Sequence, residues 1–132
     1  MKKNILFAFI TLLISSCAYT TYNMNRGELK IARKATYAVN YTTIVPNGVP
    51  ATISYTDKDG SQQKDELASG GRWGKAIDMP SGTAIEFHVD VTLPKTDPAG
   101  RLVTEVKVDS KIVSEQIQTG RKVKYRFAFK LP

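Results

Sequence analysis

Thr83-Ala84-Ile85-Glu86-Phe87-His88-Val89-Asp90-Val91-Thr92-Leu93 alternates apolar and polar residues from Ile85 to its end. Ile85, Phe87, Val89, Val91 and Leu93 share one face, and Glu86, His88, Asp90 and Thr92 share the other. Side chains two apart on a strand project to the same side, so the segment reads as a strand with one dry and one wet face. The C-terminus repeats the pattern, with Val123, Tyr125, Phe127, Phe129 and Leu131 set against Lys122, Lys124, Arg126 and Lys130. Strands of a parallel α/β sheet would read as continuous apolar runs with helices between them.

The segments before and between these two carry the same period. Tyr37, Val39 and Tyr41 alternate with polar or small neighbours, and so do Ala51, Ile53 and Tyr55, then Leu102, Thr104, Val106 and Val108. Turn chemistry separates them at Pro46-Asn47-Gly48, Asp57-Lys58-Asp59-Gly60, Pro80-Ser81-Gly82 and Asp109-Ser110, where Gly, Asn and Pro set the dihedrals that tight turns need. In residues 111–118 the phase slips, with Ile112 out of step with Val113 and Ile117, as a β-bulge would cause. About seven short strands with regular turn signals predict an all-β, antiparallel, immunoglobulin-like β-sandwich over residues 34–132.

Composition bounds the chemistry. The chain has 132 residues, Lys+Arg 19 against Asp+Glu 12, and a net charge of +7. One Cys excludes an intrachain disulfide and a cysteine-cluster zinc site, and one His leaves little for histidine catalysis. The apolar share, 42%, is that of a folded domain and excludes wholesale disorder.

The first residues read as an address. Lys2 and Lys3 precede the apolar run 5–14, followed by Ser15, Ser16 and Cys17. A basic start, a short apolar run and small residues form a signal peptide, here 1–16, and the run is too short for a membrane span. Ile14-Ser15-Ser16-Cys17 resembles a bacterial lipobox. That resemblance implies cleavage before Cys17, diacylglycerol on its thiol and acylation of the new amine. Stable anchoring needs more than one acyl chain, so such double modification is physically reasonable. Residues 17–33 are then expected to be the lipidated Cys and a polar tether. Ala18-Tyr19-Thr20-Thr21, with no Asp beside the Cys, resembles the sorting context of outer-membrane lipoproteins facing the periplasm.

Candidate sites are few. Asp57-Lys58-Asp59-Gly60 suggests calcium, but with Gly60 as the sixth position of an EF-hand loop, Tyr55 would be the first ligand, so a hairpin turn is the reading. Glu86, His88 and Asp90 project from one strand face and could hold a metal, or His88 could serve a hydrolase; a solvated face is the simpler reading, and no metal or cofactor is expected. No Gly-x-Ser-x-Gly elbow occurs, and the glycines around Arg72 and Trp73 precede no helix. The basic stripe of Arg121, Lys122, Lys124, Arg126 and Lys130 could meet an acidic partner or lipid phosphates, or could guard a terminal edge strand against aggregation. Trp73 is a candidate recognition aromatic, although a lone Trp in a sandwich commonly packs in the core.

Ile53-Ser54-Tyr55-Thr56-Asp57 through Asp59-Gly60, Trp73 with Lys75, and Val108-Asp109-Ser110-Lys111-Ile112-Val113 followed by Gly120 resemble the MmpS-type small membrane proteins of mycobacteria. The resemblance implies an immunoglobulin-like sandwich tethered to a membrane and an accessory role beside RND-type exporters. Two departures stand out: that family uses a transmembrane anchor where this chain shows the lipobox-like stretch, and its C-terminal cysteine pair is missing here. The expected function is that of a lipid-anchored, non-catalytic envelope module that binds a protein partner and no nucleic acid. A glycan- or lipid-binding role is the alternative.

Overall fold

A computed structural model describes residues 19–94 and 100–132. The leader 1–16, Cys17 and most of the loop between the strands ending at Thr92 and starting at Leu102 lie outside the described residues.

Nine strands make up the described chain: β1 (Tyr19–Glu28), β2 (Thr36–Val45), β3 (Ala51–Thr56), β4 (Gln62–Leu67), β5 (Gly71–Pro80), β6 (Ala84–Thr92), β7 (Leu102–Val108), β8 (Lys111–Gln118) and β9 (Lys122–Lys130). They form a five-stranded sheet, β1-β9-β6-β3-β4, and a four-stranded sheet, β5-β2-β7-β8. The fold is therefore the all-β sandwich that the alternation predicts, immunoglobulin-like in architecture with its own strand order. The alternation in β6 and β9 converts directly into burial: Ile85, Phe87, Val89 and Val91 face Val123, Tyr125, Phe127 and Phe129 in register, all on the dry side.

Aromatic residues fill the space between the sheets. Tyr37, Tyr41, Tyr125, Phe87 and Phe127 are its largest fully buried side chains. Each buried side chain of this size contributes about 1.5–3 kcal/mol of transfer free energy. Their hydroxyls are satisfied as burial demands: Tyr41 donates to the Thr56 carbonyl at 2.9 Å, and Tyr125 pairs with Ser114 at 2.7 Å. Burial pushes the ionisation of both phenols well above the usual tyrosine range.

Three expectations need correction. Residues 19–28 are not a tether: they form β1, which extends the sandwich past the predicted start at residue 34. Tyr22 of this strand stacks on Tyr125 with ring centroids 5.2 Å apart. The sandwich is also not wholly antiparallel, because β1 runs parallel to β9 in the register Tyr19↔Lys122 to Asn25↔Ala128. Finally, there are nine strands where about seven were expected, since the polar stretch 62–67 is β4 as well. The expected bulge is present: Val106 pairs with Ser114 and Lys107 with Ile112, leaving Val113 as the extra residue.

Candidate functional site

The registers of the five-stranded sheet assemble its outward face row by row. Lys124 lies opposite Asp90, Asp90 opposite Thr52, and Thr52 opposite Glu66. In the next row Arg126 lies opposite His88, His88 opposite Ser54, and Ser54 opposite Lys64. Cross-strand neighbours on one face stand close enough to interact directly. Arg126 uses this proximity diagonally: its Nη2 lies 2.8 Å and 3.0 Å from the two carboxylate oxygens of Asp90.

The basic stripe lies where the sequence places it, with Lys122, Lys124 and Lys130 exposed and Arg126 half-buried. Its strand does not lie at an edge. β9 is flanked by β1 on one side and β6 on the other, so its backbone groups are already paired. The edge-guarding role expected for these cations is thereby corrected; an interior strand has no open edge to guard. Among the described residues, the edge strands β1, β4, β5 and β8 carry charges of their own, such as Lys64, Asp65 and Glu66 on β4 and Arg72, Lys75 and Asp78 on β5.

His88 is about one-third exposed, and its Nε2 lies 3.9 Å from Glu86. Burial, and then the Arg126 guanidinium, hold the imidazole below its ordinary value, against the opposing pull of Glu86 and Asp90. Asp90 is engaged by Arg126, so the three ligand-capable side chains do not converge. Among the described residues no group of three His, Cys, Asp or Glu side chains could hold a metal ion.

Trp73 is only 8% exposed. Its ring packs 5.8 Å from Phe87 and 5.3 Å from Tyr55, and its Nε1 donates to Asp65 Oδ2 at 3.0 Å. As a recognition aromatic it is corrected: it is a core residue that ties β5 to β4 across the two sheets. The Asp57-Lys58-Asp59-Gly60 segment is the β3–β4 turn, closed by Gly60 N–H donating to the Asp57 carbonyl at 2.9 Å.

Two features escape a reading of the sequence. An open depression of about 440 Å³ lies on the outward face near the C-terminal ends of β4 and β6, lined by Thr52, Glu66, Leu67, Asp90, Lys122 and Lys124 among others. Glu66 belongs to a strand with no apolar alternation, so nothing in the sequence places it in one row with Thr52, Asp90 and Lys124. The second feature is a row on the other sheet. Ile44 lies opposite Val103, and Val103 opposite Ile117, with Ile44 43% and Ile117 59% exposed. The only signal for it is the phase slip in β8, which turns Ile112 and Ile117 to the same outward side.

No family model matches the chain, and no curated protein matches it. Among solved structures, the entire extracellular region of the Ser/Thr kinase PrkC from Staphylococcus aureus is similar at 12% identity with a TM-score of 0.27, covering 86% of this chain and 48% of that one. The chain thus spans about half the length of that structure.

Proposed function

We propose that this chain is a lipid-anchored bacterial envelope protein, attached through Cys17 and facing the periplasm, whose sandwich is a non-catalytic module that binds an acidic partner protein. The observation that carries the reading is the position of the basic stripe. Lys124 and Lys130 project from an interior strand, where edge protection supplies no reason for them, and neither forms an ion pair among the described residues. Exposed charges of one sign steer encounters and set partner choice more than they set fold stability. The depression beside Lys124 gives the surface relief on which a partner can register.

The test is crosslinking in the native envelope from positions on β9, with mass spectrometry of the captured species. Capture of one envelope protein, reduced several-fold by the double variant Lys124→Glu/Lys130→Glu, supports the proposal. An unchanged capture profile in that variant, or recovery of a partnerless monomer, removes it.

A further inference from the structure

The strand registers place every strand tip at one of two ends of the sandwich, and the two ends differ in charge. Tyr19 lies level with Lys122, Thr92 with Lys122, Ala51 with Val91 and with Leu67, Val45 with Gly71, and Leu102 with Gln118. The end where β1 begins therefore also holds loops 46–50, 68–70 and 119–121 and residues 93–94 and 100–101. The described residues of these segments contain Arg101 and Arg121, the adjoining strand starts add Arg72 and Lys122, and the sequence between residues 94 and 100 adds one cation, Lys95, and one carboxylate, Asp97. The four described cations are exposed. The opposite end mixes signs, with Lys30, Arg33, Lys34 and Lys58 among Asp57, Asp59 and Asp109. Among the described residues, Glu66 and Asp90 in the adjoining row belong to the outward face of the five-stranded sheet, where Arg126 engages Asp90.

Apolar side chains gather at the same end. The row Arg72, Ile44, Val103, Ile117 crosses four strands in register on the outward face of the four-stranded sheet. A row of β-branched residues, with Ile44 and Ile117 exposed and Val103 half-buried between them, flanked by arginine, is amphipathic in the manner of surfaces that settle at a lipid interface, with cations at the phosphates and apolar groups at the acyl boundary. The same strand carries its own contrast: Ile112, 53% exposed on the same face of β8, lies at the mixed-charge end.

The chain's point of emergence supplies the third observation. Thr20 donates its hydroxyl to the Thr119 carbonyl, which seats the start of β1 beside Arg121. Only Ala18 separates Cys17 from Tyr19, and two residues span at most about 7 Å. An acyl anchor on Cys17 would thus hold this end against the bilayer.

We infer that the end of the sandwich carrying Arg72, Arg101 and Arg121, with the adjoining Ile44–Val103–Ile117 row, is a membrane-contacting surface that binds the headgroups of anionic phospholipids. The orientation rests on the Cys17 anchor proposed above; the lipid affinity of the surface does not.

Two arms separate these dependencies. In the first, the lipidated chain is reconstituted in phosphatidylethanolamine–phosphatidylglycerol vesicles, with an environment-sensitive fluorophore on Ile117→Cys or Ile112→Cys. The label at 117 should be quenched several-fold less by a water-soluble quencher than the label at 112, and Arg72→Gln/Arg101→Gln/Arg121→Gln should abolish that protection. Equal quenching at the two positions in the otherwise unchanged chain overturns the inference. In the second arm, the Cys17→Ser chain lacking the leader, which retains all nine strands, is sedimented with phosphatidylglycerol or phosphatidylcholine vesicles. Retention by phosphatidylglycerol should fall about fivefold for each arginine replaced, the effect expected of one basic residue at an anionic surface. Equal retention by both lipids, or crosslinking of these arginines to a protein without vesicle binding, overturns the lipid assignment. If phosphatidylglycerol binding persists but the native chain carries no acyl group, the anchor fails and the surface stands.

Discussion

The two outward faces of the sandwich rest on the same period-two alternation and carry opposite chemistry. On the five-stranded sheet the outward positions of β9 and β6 are charged, polar or small, from Lys122 to Lys130 and from Ala84 to Thr92. On the four-stranded sheet the outward row nearest the start of β1 is Ile44, Val103 and Ile117. The inward faces are both buried and mainly apolar, the four-stranded sheet adding Thr43, Thr104, Ser114 and Gln118. Packing therefore dictates one side of each strand and leaves the other free to differ. That freedom is where recognition can be read, and the two proposed partners follow the difference between the faces: a protein for the charged one, lipid for the apolar row with its flanking arginine.

The contrast between inward and outward positions is tested first by substitution. Phe87→Ala empties a fully buried site between Tyr41, Trp73 and Tyr125 and should cost about 3–5 kcal/mol of unfolding free energy. Ile117→Ser on the outward row should change stability by no more than about 0.5 kcal/mol. Urea denaturation of the two variants checks this, and comparable losses would mean that the apolar row is part of the core.

A smaller effect is expected at the turn that enters β5. Gly70 adopts φ +72°, and a Cβ there would lie 2.0 Å from the Pro46 carbonyl oxygen. Gly70→Ala should therefore destabilise by more than about 1 kcal/mol. Gly48→Ala, where the conformation is also left-handed but the space is open, should cost less. Equal melting temperatures for the two variants would remove the steric part of this account.

How far the sequence discloses the molecule follows from the same asymmetry. Strands β2, β3, β6, β7 and β9 each bury one full face, so alternation reveals them. β4, Gln62–Leu67, is an edge strand with no buried residue, held by its pairing to β3, and polar composition hides it. β1 is concealed for a related reason: Tyr22 packs against the core while Met24 stays exposed, the Asn and Thr around them read as a linker, and its partner β9 is a hundred residues away. Turn chemistry is local and so was legible, as was the bulge in β8. The outward rows were not, because they depend on which strands become neighbours. Basic residues on β9 were visible as a stripe, whereas their meaning required knowing that β9 lies inside the sheet.

The smallest effect concerns His88, whose environment belongs wholly to the charged face. Its imidazole titrates below the ordinary value of about 6.5 because partial burial, and then Arg126, disfavour the cation. The unfolded chain consequently binds its proton at higher pH than the folded chain does. Stability should be unaffected above the ordinary value and decline as pH falls below it, until the folded imidazole also protonates. His88→Gln should flatten this part of the pH profile of the urea midpoint. A decline of equal depth in the variant would place the responsible group elsewhere.

The account depends most on Cys17, since the proposed anchor would bring the basic end to the bilayer and leave the charged face to the periplasm. Intact mass spectrometry of the protein extracted from its native membrane addresses this directly. The account predicts a mature chain beginning at Cys17 and heavier than its polypeptide by a diacylglycerol and an acyl group. A species retaining residues 1–16, or one carrying an unmodified Cys17 thiol, would contradict it.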